Sequence, residues 1–219
     1  MNYPKQIILK LLRDSKLIFW DFDGVIKDSV ATKADAFEAL FVPFSTSLSK
    51  RVREHHEANG GISRYDKMPL YLKWAGEPAS LTQVHDYCER FSAIVLEAVI
   101  ASDWVPGVLD YLTLNCTNQE FVLLTATPQN EIDYILQALK IRNLFSDVFG
   151  SPKEKDNAMA DVLENYRFKA IDALMIGDSS SDMIAARINK VPFVLRRTKL
   201  NISIQQNCGG LVIDNFCNE

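Results

Sequence analysis

Three short apolar runs constrain the fold of this 219-residue chain more than any other feature: Leu17-Ile18-Phe19-Trp20, Phe121-Val122-Leu123-Leu124 and Ala173-Leu174-Met175-Ile176. Each has the length of a buried strand, and each runs directly into polar residues. Weaker strand signals stand at Val148-Phe149, at 192–195 and at 211–213. Between them the spacing turns helical, around 130–139, 157–163 and 183–188, and a short amphipathic helix is expected at 4–13. Alternating β and α units of this kind predict an α/β protein with a doubly wound parallel sheet covered by helices on both faces.

One stretch breaks the alternation. From about residue 30 to 100 no strand signal occurs, and Ala34, Phe37, Leu40 and Phe41 recur at helical spacing, as do Phe91, Ile94, Val95 and Ala98. Asn59-Gly60-Gly61 reads as a break between helices, with Ser63 as the cap of a helix starting near Arg64. The expected organisation is a core domain of residues 1–29 and 101–219, with a helical cap domain, 30–100, inserted after the first strand.

Composition narrows the function by exclusion. The net charge of -4, with no block of lysine or arginine longer than two, gives no footprint for nucleic acid. The apolar stretch 93–101 contains Glu97 and is too short to cross a bilayer, so no membrane partner is expected. Lys5, Lys10 and Arg13 interrupt the N-terminal apolar residues and argue against a secretory signal. Cys88, Cys116, Cys208 and Cys217 are scattered without metal-ligand spacing and read as reduced thiols, which makes the expected location cytoplasmic.

The polar residues at the strand ends carry the chemistry. Asp21 and Asp23 follow the first strand two residues apart, so both should leave it on the same side. Carboxylates forced together repel and need a cation or water to compensate them. Thr125, with Thr127 close by, follows the second strand, and Gly177-Asp178-Ser179-Ser180-Ser181-Asp182 follows the third. Lys153 and Lys155 offer positive charge just ahead of a helix. In an open parallel sheet, ligands gather outside the carboxyl ends of the strands, where all of these residues should meet. Each signal alone has an ordinary explanation, such as a helix cap or a solvated lysine. Four of them in chain order at one sheet edge point to a phosphoryl-transfer site.

Asp-Phe-Asp-Gly-Val-Ile, the threonine ending Val-Leu-Leu-Thr, Lys155 and Gly-Asp-Ser-Ser-Ser-Asp together resemble the four motifs of the haloacid dehalogenase superfamily. The similarity is to the branch of phosphoglycolate phosphatases and β-phosphoglucomutases, whose helical cap follows the first strand. Trp104-Val105-Pro106-Gly107-Val108 resembles that branch's return from cap to core. The resemblance implies a Mg²⁺-dependent phosphomonoester hydrolase acting on a small phosphorylated metabolite through an aspartyl-phosphate. Asp21 would be the nucleophile and Asp23 the acid and base. Asp21, Asp178 and the Asp23 carbonyl would hold Mg²⁺, with Asp182 an additional partner. Thr125, Ala126 and Lys155 would hold the phosphoryl group, with Thr127 and Lys153 open as alternatives for the second and third motifs.

In the cap, Gly-Ile-Ser-Arg resembles the segment that reaches over the substrate, which makes Arg64 and Lys67 candidate substrate-binding residues. His55-His56 is expected on a polar helix face, because adjacent residues on a helix point in different directions. A sugar-phosphate phosphotransferase of the β-phosphoglucomutase kind is the alternative, favoured by Val25-Ile26-Lys27-Asp28-Ser29 and disfavoured by the Gly177-Asp178 pair. A phospho-accepting receiver domain would also use an acidic Mg²⁺ site and a lysine, but needs neither a helical insert nor Asp23. Oligomeric state is not legible.

Overall fold

In the computed structural model, which describes residues 3–217, the apolar runs become the middle of a six-stranded sheet. The strands are β1 (Leu17–Trp20), β2 (Glu120–Pro128), β3 (Asp147–Ser151), β4 (Ala173–Gly177), β5 (Phe193–Arg196) and β6 (Val212–Ile213). Their order is β3-β2-β1-β4-β5-β6, and every pairing is parallel. β1 lies between β2 and β4, in register Trp20 to Leu123 on one side and Trp20 to Ile176 on the other. The chain winds outward from β1 in both directions, and the carboxyl ends of its three most apolar strands are neighbours.

Strand alternation divides the core. Ile18 and Trp20 face one side of β1 with Phe121, Leu123, Leu174 and Ile176. There they meet α1 (Lys5–Asp14), α6 (Val108–Asn115) and α7 (Gln129–Ala138) through Leu12, Leu112 and Leu136. Leu17 and Phe19 face the other side and pack with Met159 and Val162 of α8 (Lys155–Asn165) and Ala185 of α9 (Ser180–Ile188). A final short helix, α10 (Ile202–Gln205), precedes β6. The second strand runs further than the apolar pattern implies: β2 continues through Thr125-Ala126-Thr127 to Pro128, with a register shift against β3 between Leu124 and Pro128.

Residues between β1 and β2 form α2 (Val30–Phe41), α3 (Thr46–Ala58), α4 (Arg64–Ala75) and α5 (Leu81–Ala101). Ser45, Ser63 and Ser80 accept hydrogen bonds from backbone N–H groups in the first turns of α3, α4 and α5. An aromatic cluster joins these helices, with Phe37 stacked 4.0 Å from Phe91 and edge-on to Tyr71. The chain leaves for this block and returns beside itself: Asp28 N–H donates to the Asp103 carbonyl (2.8 Å) and Val105 N–H to that of Ile26 (3.0 Å). His56 departs from expectation. It is buried and stacks on Phe37 at 4.6 Å, because its position on α3 faces α2 rather than solvent.

Phe37 is the hub of this packing. Phe37→Ala should destabilise the protein by about 3–5 kcal/mol in denaturant titration, the usual cost of deleting a buried aromatic ring. Ile202→Ala, at an exposed position, should change stability by no more than about 0.5 kcal/mol. Equal losses at both positions would contradict the packing described.

Candidate active site

The backbone first brings the acidic residues together. Asp21 continues the β1 ladder by one bond, its N–H donating to the Ile176 carbonyl at 3.0 Å. This fixes Asp21 beside the end of β4, where Asp178 follows Gly177. Gly24 has φ +78°, and a Cβ there would lie 2.2 Å from Asp178 Oδ2, so only glycine lets the β1 loop approach that carboxylate. Gly177 does the same for Asp182, whose Cβ would be 2.2 Å from any side chain at 177.

Lys155, the first residue of α8, reaches into the cluster. Its ammonium donates to Asp21 Oδ1 at 2.8 Å and to Asp182 Oδ1 at 2.6 Å, and all three groups are buried. The second oxygen of Asp182 accepts from the Ser179 N–H (3.0 Å) and hydroxyl (2.5 Å), closing a capping box on α9. Lys153 lies outside this group and pairs with Asp161 at 2.5 Å on the surface. The structure therefore places Lys155, and not Lys153, at the carboxylates.

Asp23 has a separate set of partners. It accepts from the Ser29 hydroxyl at 2.6 Å, from Thr127 Oγ1 at 3.3 Å and from the Lys33 ammonium, which also donates to Thr127 at 2.9 Å. Thr125 is buried and its Oγ1 accepts from the Thr127 N–H at 3.2 Å. Its own O–H finds no acceptor among the described residues. The Thr127 hydroxyl, in contrast, is already engaged. Asp21, Asp23, Thr125, Ala126, Thr127 and Asp178 line a single cavity together with Lys33, His56, Arg64 and Lys67.

Electrostatics follow from burial. Asp21 is pushed up to about 7 by desolvation and by Asp182, with Lys155 opposing. Asp178 is raised well above the usual carboxylate range, again by burial first and then by Asp21 and Asp182. Burial works against the charge on Lys155, but Asp182 and Asp21 outweigh it and hold its pKa above the ordinary lysine value. For Asp23, burial is overcome by Lys33 and Ser29, which keep it below the usual range and ionised.

The carboxylate oxygens of Asp21, Asp178 and Asp182 come within 4.8 Å of one another. One ammonium cannot compensate three buried carboxylates, and the raised Asp21 and Asp178 record that deficit. The donors are all oxygens, with no cysteine or histidine in the cluster. Such a site fits a hard divalent cation of the Mg²⁺ type.

The structure also revises the reading of the cap residues. Arg64 is buried, and its guanidinium fork closes on Glu131 of α7 at 2.8 and 2.9 Å, with Ser92 at 2.6 Å. It lines the cavity with the fork of its guanidinium taken up by that ion pair. Lys67 lines the cavity with its ammonium against His56. Lys33, Ser29, Glu131 and His56 were not singled out as site residues. For Lys33 a signal existed: it falls on the Val30, Ala34, Phe37 stripe of α2, where a lysine has no reason to stand unless it meets an anion.

Comparison with known proteins agrees with this arrangement. The family model for haloacid dehalogenase-like hydrolases matches residues 18–195. Phosphoglycolate phosphatase of Vibrio cholerae is 28% identical over 187 residues, covering 80% of this chain and 81% of that protein. Phosphoglycolate phosphatase 1 of Pseudomonas aeruginosa is 25% identical over 215 residues, covering 92% and 77%. The fold is shared with the crystal structure of a predicted phosphoglycolate phosphatase from Haemophilus somnus, with a TM-score of 0.74 at 20% identity over 93% of this chain and 95% of that one. It is also shared with CbbY from Rhodobacter sphaeroides, solved with xylulose-(1,5)bisphosphate, with a TM-score of 0.72 at 14% identity over 93% and 96%. No helix among the described residues is long and apolar enough to cross a membrane. A family match from β1 to β5, on a sheet edge carrying Asp21, Asp23, Thr125 and Asp178 around one cavity and Lys155 paired with Asp21, places this chain among the haloacid dehalogenase-like hydrolases.

Proposed function

We propose that the protein is a Mg²⁺-dependent phosphatase of small phosphorylated metabolites and works through an aspartyl-phosphate on Asp21. The observation that carries this reading is the buried Lys155 ammonium between Asp21 and Asp182, with Asp21, Asp23 and Thr125 lining one cavity. It gives a nucleophile, a cation for the phosphoryl oxygens and a second carboxylate for proton transfer. Residues 30–100 serve as a cap that encloses the substrate over residues 1–29 and 101–219. The relatives named as phosphoglycolate phosphatases support a small substrate of that kind.

In the first step an Asp21 carboxylate oxygen attacks phosphorus and the bond to the substrate's alkoxide breaks. Asp23 gives that alkoxide a proton. In the second step Asp23, now ionised, takes a proton from water, whose oxygen attacks phosphorus; inorganic phosphate leaves and Asp21 is restored. The Lys33 contact suits the ionised Asp23 of the second step. An arriving phosphate dianion competes for Lys33 and raises the proton affinity of the carboxylate beside it, which suits the first step.

Lys155 and the free O–H of Thr125, with Ala126 alongside, hold phosphoryl oxygens as charge spreads over them in the transition state. Asp21, Asp178 and the Asp23 carbonyl would hold Mg²⁺, with Asp182 orienting Lys155 and adding charge. The metal supplies the positive charge that lets a phosphate dianion approach these carboxylates. A receiver domain does not account for Asp23 or for the four helices between β1 and β2.

Replacing Asp21 with Asn keeps the side chain's shape and removes the nucleophile. Asp21→Asn should lower phosphate release, measured on p-nitrophenyl phosphate, by about three orders of magnitude or more. Turnover within tenfold of wild type, in protein free of contaminating phosphatase, would reject the assignment.

Stability should couple protons and metal. Asp21 holds its proton to about 7 in the fold but releases it near the ordinary value of 3.8 when unfolded. Between these values the folded state binds more protons, so stability without metal falls as pH rises through that window. Asp178, shifted in the same direction, adds to the effect. Mg²⁺ must displace those protons. It should therefore raise Tm little near about pH 5 and clearly near about pH 8, by about 2.7 kcal/mol in stability at a hundredfold excess over Kd. An equal effect at both pH values, or none at the higher one, would contradict the metal site.

A further inference from the structure

Asp178 is reached from a second cleft besides the cavity already described. The two share Val30, Gly60 and Asp178 and otherwise have different walls. The second cleft lies between the end of α3 and the core segments that follow β4 and β5. Ala58, Ser180 and Ser203 on it are exposed and form its mouth, whereas Asp178 is buried and forms its inner end.

The two differ in charge. In the first, Lys33, Arg64 and Lys67 stand among the carboxylates, and cationic side chains oppose the passage of a divalent cation. No lysine, arginine or histidine among the described residues lines the second, whose charged groups are Glu57 and Asp178. Arg53 binds Glu57 at 2.9 Å but also Asp35 and Glu38, at 2.6 and 2.8 Å, so one guanidinium answers three carboxylates. The remaining polar lining is Asn201 and hydroxyls such as those of Thr198 and Ser203. Asn201 is buried, donates to the Asp178 carbonyl at 2.8 Å and accepts from the Thr198 N–H at 2.9 Å. These bonds fix the core wall of the cleft to the backbone of the carboxylate it leads to.

Size points the same way. The cleft offers about 60 Å³ to water centres, room for about four to six waters at roughly 10–15 Å³ each. Mg²⁺ gives up its waters reluctantly and keeps several of them when bound, and a passage lined by oxygen groups lets it travel hydrated. We propose that this cleft, and not the substrate cavity, is the port through which hydrated Mg²⁺ reaches and leaves Asp178. The inference rests on the metal-dependent reading above and deepens it: cation and anion approach one centre by separate routes, and the metal exchanges while the substrate cavity is filled.

A port sets rates and not affinity. Narrowing it slows entry and exit by the same factor, because both directions cross one barrier, and Kd stays the same. The test plugs the mouth from either wall with Ala58→Trp and Ser203→Trp, and takes Ile62→Trp, at an exposed position on the substrate cavity, as control. Stopped-flow mixing of Mg²⁺-loaded protein with an excess of a fluorescent Mg²⁺ chelator reads release, and calorimetry with MgCl₂ alone reads Kd. Ala58→Trp and Ser203→Trp should each slow release by about tenfold or more and keep Kd within about twofold. Ile62→Trp should change neither. Ala58→Leu and Ser203→Leu make the same comparison if a Trp variant does not fold.

Release as fast as in wild type from either folded plugged variant, equal slowing by Ile62→Trp, or a fall in Kd that matches the slowing overturns the proposal. Absence of Mg²⁺ binding to wild type overturns it together with the metal-dependent reading. Slowed release at unchanged Kd, in a protein that does not turn over p-nitrophenyl phosphate, would refute the phosphatase and keep the port. Mg²⁺-dependent turnover with unaltered release would keep the phosphatase and refute the port.

Discussion

Everything at this sheet edge depends on one buried cation. Lys155 sits between Asp21 and Asp182, and no other ammonium among the described residues touches those carboxylates. Removing one partner from a buried ion pair strands the other charge, at a cost of about 3–5 kcal/mol. Each partner is therefore fixed by more than the pair. Asp182 is locked into the α9 capping box, Asp21 is bound into the sheet through its backbone, and Lys155 opens α8, which packs on β2 and α9. The fold supplies rigid supports, and the ion pair makes the clustered carboxylates tolerable.

That balance is incomplete by design of the charges. Asp21 and Asp178 remain pushed towards their protonated forms even with Lys155 in place. A nucleophilic carboxylate must be ionised, so the site calls for further positive charge before it can act. A divalent cation on oxygen ligands meets that demand. The helices between β1 and β2 add a second tier of charge: Lys33 is spent on Asp23 and Arg64 on Glu131, while Lys67 is held against a neutral imidazole. These three cations line the same cavity as Asp21, Asp23 and Asp178.

Legibility in the sequence followed the origin of each residue's position. Asp21, Asp23, Thr125 and Asp178 were readable because each follows an apolar strand run, and a parallel sheet gathers such positions at one edge. Lys155 was less certain, since a lysine two residues away competed with it; only the surface pairing of Lys153 with Asp161 separates them. Lys33, Glu131 and His56 sit inside helices, where their partners are set by how helices pack and not by local pattern. Arg64 is the instructive case. Its place beside the cavity was legible, but its partner lies 67 residues away on α7, and that contact decides what the guanidinium is free to bind. Thr127 shows the same limit in a strand, since β2 continues past its apolar run and carries this hydroxyl to Asp23.

In the proposed mechanism Asp21 carries the phosphoryl group between two steps and Asp23 serves the second by activating water. The most direct measurement is rapid quench of Asp23→Asn with p-nitrophenyl phosphate and Mg²⁺, followed by peptide mass spectrometry. The p-nitrophenolate leaving group needs no proton, so the first step should proceed while the second stalls. A burst of one p-nitrophenolate per active site and one phosphoryl group on the peptide containing Asp21 are expected. The absence of a burst together with no phosphoryl group on Asp21, or its appearance on another residue, would contradict it.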